Sequence, residues 1–323
     1  MSGPTGAPSR RHPPRAGRLD LVVAAAVLLL WPSPARAWGP AAHIDFAAES
    51  LRYLSLAVPL LRRLLLAHPD AYLYGNFLAD NVVGKNRAPE PLHAHSWPVG
   101  RRLLDAASDP VERAFATGYI AHLWADQVAH REFVPAKLIE SFAGRGLRHI
   151  YWELRFDSRV LQARPDTAET WRRIVRERPA GLERFLAAHL HPALLSHRAS
   201  HGIFSGTMAM QRRPAWMQAA ERVDHRSPFP LPGDEFRWYR ERSVDAILAF
   251  LSDPDARRTA PPDAVGAPVL AEALRIRRAL RLSRRHRSLP PGAWLQLGPA
   301  LRAAVARGRP LADAVRDTIG WRP

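Results

Sequence analysis

The chain has 323 residues, 47% of them apolar and 24% charged, which is ordinary globular composition and enough length for one large domain or two small ones. Its formal charge is +17, yet only Lys85 and Lys137 are lysines, so the excess is scattered arginine, accounted for mostly by the codon bias of a GC-rich genome. Such a surface steers phosphate-bearing substrates, while the absence of cysteine excludes thiolate metal sites and thiol nucleophiles.

Residues 1–37 read as a cleaved secretory signal. Arg10, Arg11, Arg15 and Arg18 form a basic leader, "LDLVVAAAVLLLW" is a short apolar core, and Ala35-Arg36-Ala37 offers small residues to a signal peptidase. The apolar run falls well short of the ~20 residues that span a bilayer. Removal leaves 286 residues beginning at Trp38, with a charge of about +13, and places the mature protein outside the cytoplasm, secreted or in the cell envelope.

From Trp38 onward the pattern is all-α, with β-branched runs short and proline falling between segments of helical length. "AAHIDFAAESLRYL", "PLLRRLLLAH" and "PDAYLYGNFLAD" read as successive helices. "NVVGKNRAPEPLHAHSWP" is a loop, rich in Asn, Gly and Pro. "PVERAFATGYIAHLWADQVAH" follows, capped by Asp109 with Pro110 in the first turn, and is expected to stop before Pro135. "AGRG" breaks the chain ahead of "LRHIYWELRFDSRVL", and further helices are expected over Thr167–Arg178, Leu182–His189 and Glu235–Leu251. The boundaries are then a domain over 38–251, a proline-rich linker over 252–266, and an extension over 267–323 holding two amphipathic helices. The densest basic run, "RIRRALRLSRRHR", reads as a solvated face.

Chemistry concentrates in a few of these helices. His122, Asp126 and His130 recur at four-residue intervals; each step advances about 400°, so the three share an arc of about 80° on one side of an apolar helix. Imidazoles and a carboxylate are costly to bury unless something neutralises and orders them, and zinc does both; a buried His–Asp pair with one exposed histidine is the alternative. His149 and Glu153 repeat the spacing on the following helix. Asp80 closes its own helix, His93 and His95 share the loop, and His43 lies five residues beyond Trp38. Trp38, once freed by cleavage, presents an α-amine with a reference pKa near 8 and a carbonyl oxygen, a pair able to bind metal.

Together these residues resemble the zinc-dependent phospholipase C superfamily, which includes the bacterial phospholipases C and the amino-terminal domain of glycosylphosphatidylinositol-specific phospholipase D. Single-strand nucleases share its all-helical, three-metal fold. The resemblance runs from Trp38 to Asp157 and is carried by "LLLAHPDAYLYGNFLAD" and "HLWADQVAH", which look most like the phospholipase D branch. It implies that Trp38 and His43 hold one zinc. Asp80, His122 and either His93 or His95 hold a second; His95 is preferred because Trp97 follows it at the family's distance. Asp126 would bridge these two, and His130, His149 and Glu153 would hold the third. The implied activity is phosphodiester hydrolysis on phospholipids, at or near a membrane surface, by a metal-activated hydroxide attacking phosphorus, with Asp80 and Asp126 as the catalytic carboxylates.

The rivals are a zinc nuclease on single-stranded nucleic acid and a non-catalytic protein that keeps the fold. No G-x-S-x-G elbow is present, and nothing points to a protein partner. His189, His191, His197 and His201 do not ladder with an acid and read as surface or supporting residues. Tyr72, Tyr74, Trp97, Trp124 and Trp152 read as core.

Overall fold

Two glycines decide how the central helices meet. The computed structural model describes residues 38–80, 94–144, 149–177, 179–190, 231–253, 263–285 and 293–321, with short pieces between 209 and 229; the leader, His93, and His191, His197 and His201 lie outside the described residues. Helix α1 (Pro40–Arg52) leads through a 3-10 turn into α2 (Pro59–Ala67) and the deeply buried α3 (Pro69–Leu78). After the loop, α4 (Trp97–Ala106) starts at the Ser96 cap, and α5 (Pro110–Val128) is the long central helix. A Cβ on Gly75 of α3 would lie 2.0 Å from the carbonyl oxygen of Phe115, and one on Gly118 of α5 would lie 2.0 Å from that of Tyr72. Neither position admits a side chain, so the two backbones pack in direct contact and the segments following Gly75 and Gly118 come together.

Local signals account for most helix starts. Asp109 accepts from the Glu112 amide at 2.8 Å, and the Glu112 carboxylate accepts from the Ser108 amide and hydroxyl at 2.8 Å, so the cap is reinforced by the residue before it. Helix α1 is started from outside. The Asp157 carboxylate accepts from the amides of Ala41 (3.3 Å) and Ala42 (2.9 Å), and a Cβ on the preceding Gly39 would strike that carboxylate at 2.1 Å.

The expected stop before Pro135 does not occur. The chain passes from α5 through a π turn (Ala129–Phe133) directly into α6 (Val134–Glu140), with Pro135 in its first turn. A proline is tolerated where the preceding amide–carbonyl ladder is already shifted to the wider register. Helices α7 (His149–Ala163), α8 (Asp166–Arg176), α9 (Leu182–His189) and α10 (Gly233–Ser252) close the main core around Trp38, Phe46, Phe133 and Phe156. Among the described residues there is no strand. Tyr72, Tyr74, Trp97 and Trp152 are buried there, while Trp124 is only half-buried.

The C-terminal part corrects the reading in two places. It holds three helices rather than two, α11 (Ala267–Arg285), α12 (Leu297–Ala306) and α13 (Leu311–Ile319), because Gly308 at φ 63° and Pro310 divide the last apolar stretch. Nor is its basic run simply solvated. Arg277 donates to the carbonyls of Leu138 (2.5 Å) and Gly144 (3.0 Å), and Arg281 to those of Phe142 (2.7 Å) and Gly144, closing the carboxyl end of α6. Ala136, Ile139 and Phe142 join Ile276, Leu280, Leu297, Leu301 and Val315 in a second, smaller core. Lys137, fully buried, pairs at 2.8 Å with Glu140 and Glu235, and Arg302 reaches Glu235 at 3.0 Å, fastening α6, α10 and α12. Ser33–Pro323 forms one compact unit.

Gly118→Ala is expected to lower stability by about 1–3 kcal/mol, the range for overpacking a filled interior. Urea unfolding checks it: the midpoint should drop with the slope held.

Candidate metal centre

The chain reaches the site along a buried arm. The Trp38 indole donates to the Ala125 carbonyl at 3.0 Å, stacks on Phe133 (4.9 Å) and meets Phe156 at a tilt (4.2 Å), which sets the arm beside the turn of α5 that carries Asp126. One turn into α1, His43 faces the same place.

The carboxylates and imidazoles are held by neighbours as well as by their helices. His122 keeps Nδ1 on the carbonyl of Asn76 at 3.0 Å, which aims Nε2 inward. The Asn76 amide, with its nitrogen toward the His43 carbonyl (3.1 Å) and its oxygen toward the His122 amide (3.2 Å), ties α1, α3 and α5 at this level. Asp80 lies just past the end of α3. His95 sits with Nε2 3.1 Å from the Ala79 carbonyl, and the Tyr119 hydroxyl donates to the Ala94 carbonyl beside it. Burial raises the Tyr119 hydroxyl's pKa well above its usual range, with Asp80 and Asp126 adding to the effect, so it stays a donor.

Asp126 is the hub. Its Oδ1 lies 3.1 Å from His43 Nε2, whereas Oδ2 lies 3.3 Å from both His95 Nδ1 and His122 Nε2. Asp80 Oδ1 is 3.2 Å from His95 Nε2 and 3.9 Å from His122 Nε2, and its Oδ2 is 3.9 Å from His43. Donor atoms of His43, His122 and Asp126 lie within 4.8 Å of one another, as do those of Asp80, His95 and His122. The His43 and His122 rings stack at 3.7 Å.

All five residues are at most 2% exposed. Neither ring nitrogen of His43, nor Nε2 of His122, nor either oxygen of Asp126 makes a hydrogen bond. Buried polar atoms left in this state are costly, and a divalent cation held by nitrogen and oxygen donors removes the cost. The residues present therefore fit zinc. Burial pushes the Asp126 carboxyl up, but His122 and His43 outweigh it and hold it well below the usual carboxylate range, ready as an anionic donor.

His130, His149 and Glu153 form an adjoining group. The His130 and His149 rings meet edge-on at 5.4 Å, and His149 Nε2 lies 2.9 Å from Glu153 Oε1. They are not among the sets, within the described residues, whose donor atoms converge within 4.8 Å. The π turn is the reason that a straight ladder through His122, Asp126 and His130 misdescribes the helix. His130 falls inside the turn, whose wider winding changes the angle at which it leaves the axis, and its ring lies against α7.

Sequence reasoning overlooked Asn76, Tyr119 and Asp157. Asp157 had a signal, since it continues the His149–Glu153 spacing by one more helical step. Asn76 and Tyr119 act on backbone carbonyls of other segments, and nothing local announces that.

Comparison with known proteins adds one match. Residues 42–192 fit the family model described as zinc dependent phospholipase C. Over this span the chain is similar to the zinc-dependent phospholipase C family. The domain so defined contains His43, Asp80, His95, His122, Asp126, His130, His149 and Glu153, and its matched segment begins just after the Trp38 arm. No curated protein and no solved structure matches the chain.

Burial raises the Asp157 carboxyl from 3.8 to about 7, against the pull of the Ala42 and Ala41 amides and of His43. Between those values the folded chain keeps a proton that the unfolded chain has released, so this group's contribution is full below 3.8 and lost as pH rises through about 7. In chelator-treated protein, stability should fall with rising pH across that window, and Asp157→Asn should flatten the slope. Urea midpoints measured against pH for both proteins test this, and parallel curves would contradict it.

Proposed function

We propose that the protein is a zinc-dependent phosphodiester hydrolase acting on phospholipids, exported and trimmed before Trp38. The supporting observation is the division of Asp126: one oxygen faces His43 and the other faces His95 and His122. A carboxylate shared in this way suits two neighbouring cations better than one.

In this reading Trp38, through its amine and carbonyl, and His43 would hold one ion. Asp80, His95 and His122 would hold the next, Asp126 would serve both, and His130, His149 and Glu153 would hold a third. When bound, zinc supplies Lewis acidity, polarising a phosphoryl oxygen and acidifying water. The side chains do the rest. Asp80 would accept a proton from the attacking water, while the Asn76 carbonyl orients the His122 ring and Tyr119 holds the backbone beside His95. The buried, apolar setting of the α3–α5 crossing keeps bulk water from screening these charges. Arginine-rich outer surfaces draw a phosphate-bearing substrate inward. No helix among the described residues is long and apolar enough to cross a membrane, and the reading has the enzyme meeting lipid from the aqueous side.

Purified protein beginning at Trp38 should hydrolyse phosphatidylcholine, lose activity to a chelator and regain it with zinc. Asp126→Asn should remove several kcal/mol of transition-state stabilisation, thus roughly 10³-fold in rate, more than any single histidine change. Turnover of single-stranded DNA without turnover of lipid would replace this substrate with nucleic acid. Metal binding with turnover of neither would mark a binding protein.

An added residue before Trp38 removes the α-amine from reach. Zinc per chain should fall and the rate with it. Equal zinc content and rate in the extended protein would take Trp38 out of the site.

A further inference from the structure

The segment Asp263–Gly266, which opens the C-terminal helices, lies against the π turn that carries His130. Gln127 stands three residues before His130 and Arg131 one after. The Gln127 amide nitrogen donates to the Ala264 carbonyl at 2.5 Å and the Asp263 carbonyl at 3.4 Å, and its oxygen accepts from Arg131 Nε at 2.7 Å. Arg131 also donates to the Asp263 carbonyl at 3.2 Å. The Asp263 carboxylate in turn accepts from the amides of Val265 (2.9 Å) and Ala267 (2.5 Å), so the segment is a closed turn rather than a slack connection. At its end Gly266 has φ +60°, and a Cβ there would lie 2.9 Å from His130 Cβ and 3.0 Å from the His130 carbonyl oxygen. Both its backbone and its neighbour demand glycine.

A π turn is less favourable than the α register it interrupts and persists where its surroundings hold it. Here Asp263–Gly266 holds it through Gln127, Arg131 and the close approach of Gly266 to His130, while Arg277 and Arg281 cap the α6 helix that follows. We propose that this clasp sets the direction of His130, so that Gln127, Arg131 and Gly266 are positioning residues for the metal position shared by His130, His149 and Glu153. The C-terminal helices then act on the centre from a distance, by fixing the winding of one turn. The inference rests on the zinc reading above.

The test uses the full processed chain with Gly266→Ala and Gln127→Ala, the latter leaving the Gly266 backbone untouched. Zinc per chain is counted by mass spectrometry after dialysis against zinc buffers, cobalt-substituted protein is examined by visible absorption, and urea midpoints are recorded. Ile319→Ala, in the second core away from the turn, serves as the stability control. Both clasp variants should lose one zinc equivalent, its affinity lowered by about 10- to 100-fold as for other supporting contacts. The cobalt bands of that ion should shift, and Ile319→Ala should unfold more readily with its zinc unchanged. Clasp variants that keep wild-type zinc affinity and cobalt spectrum would overturn the proposal. So would parallel loss of zinc and stability in Ile319→Ala. A wild-type chain that binds no zinc would bring down the underlying reading and the clasp together.

Discussion

Everything at the centre depends on two helix backbones touching. With Gly75 against the Phe115 carbonyl and Gly118 against the Tyr72 carbonyl, α3 and α5 approach as closely as main chains allow, and three consequences follow. The Asn76 carbonyl comes within reach of His122 Nδ1. Asp80, past the end of α3, comes alongside the turn that presents Asp126. Tyr119, one residue after the second glycine, reaches the loop that delivers His95. A few tenths of an ångström at the crossing would be felt by every donor, because close-packed interiors transmit displacement rather than absorb it.

The same arrangement carries a thermodynamic cost. Carboxylates and imidazoles lie side by side with almost no solvent, and several of their atoms make no hydrogen bond. Burial of that kind opposes folding, and the surrounding structure must offset it. The aromatic nest of Trp38, Phe46, Phe133 and Phe156 does so on one side. The paired charges of Asp45 and Glu49 with Arg164 and Arg240 fasten the outer face of α1 to the helices around it. An ion that satisfied these donors would therefore also stabilise the folded chain.

How much of this was legible beforehand follows from how local each signal is. Asp109 and Pro110 announced their helix start because a cap and a first-turn proline are adjacent in sequence. His122 with Asp126, and His149 with Glu153, announced themselves because one helical turn is a short-range regularity. The π turn did not, since Pro135 in sequence says only that an ordinary ladder is interrupted; whether the helix ends or rewinds is decided by what packs on it. The arginines of α11 misled for a related reason. Composition made them look like a solvated face, whereas Arg277 and Arg281 find carbonyl oxygens on another helix. Gly39, Gly75, Gly118 and Gly266 gave no clue to their importance. Each is required by an atom from a distant stretch of chain.

The bond between Asp157 and the first turn of α1 joins groups 115 residues apart. Loop closure over such a span is entropically costly, and the contact offsets part of that cost by supplying an acceptor to two first-turn amides. A single carboxylate far along the chain thereby fixes where the opening helix begins, and with it the level at which His43 enters the centre.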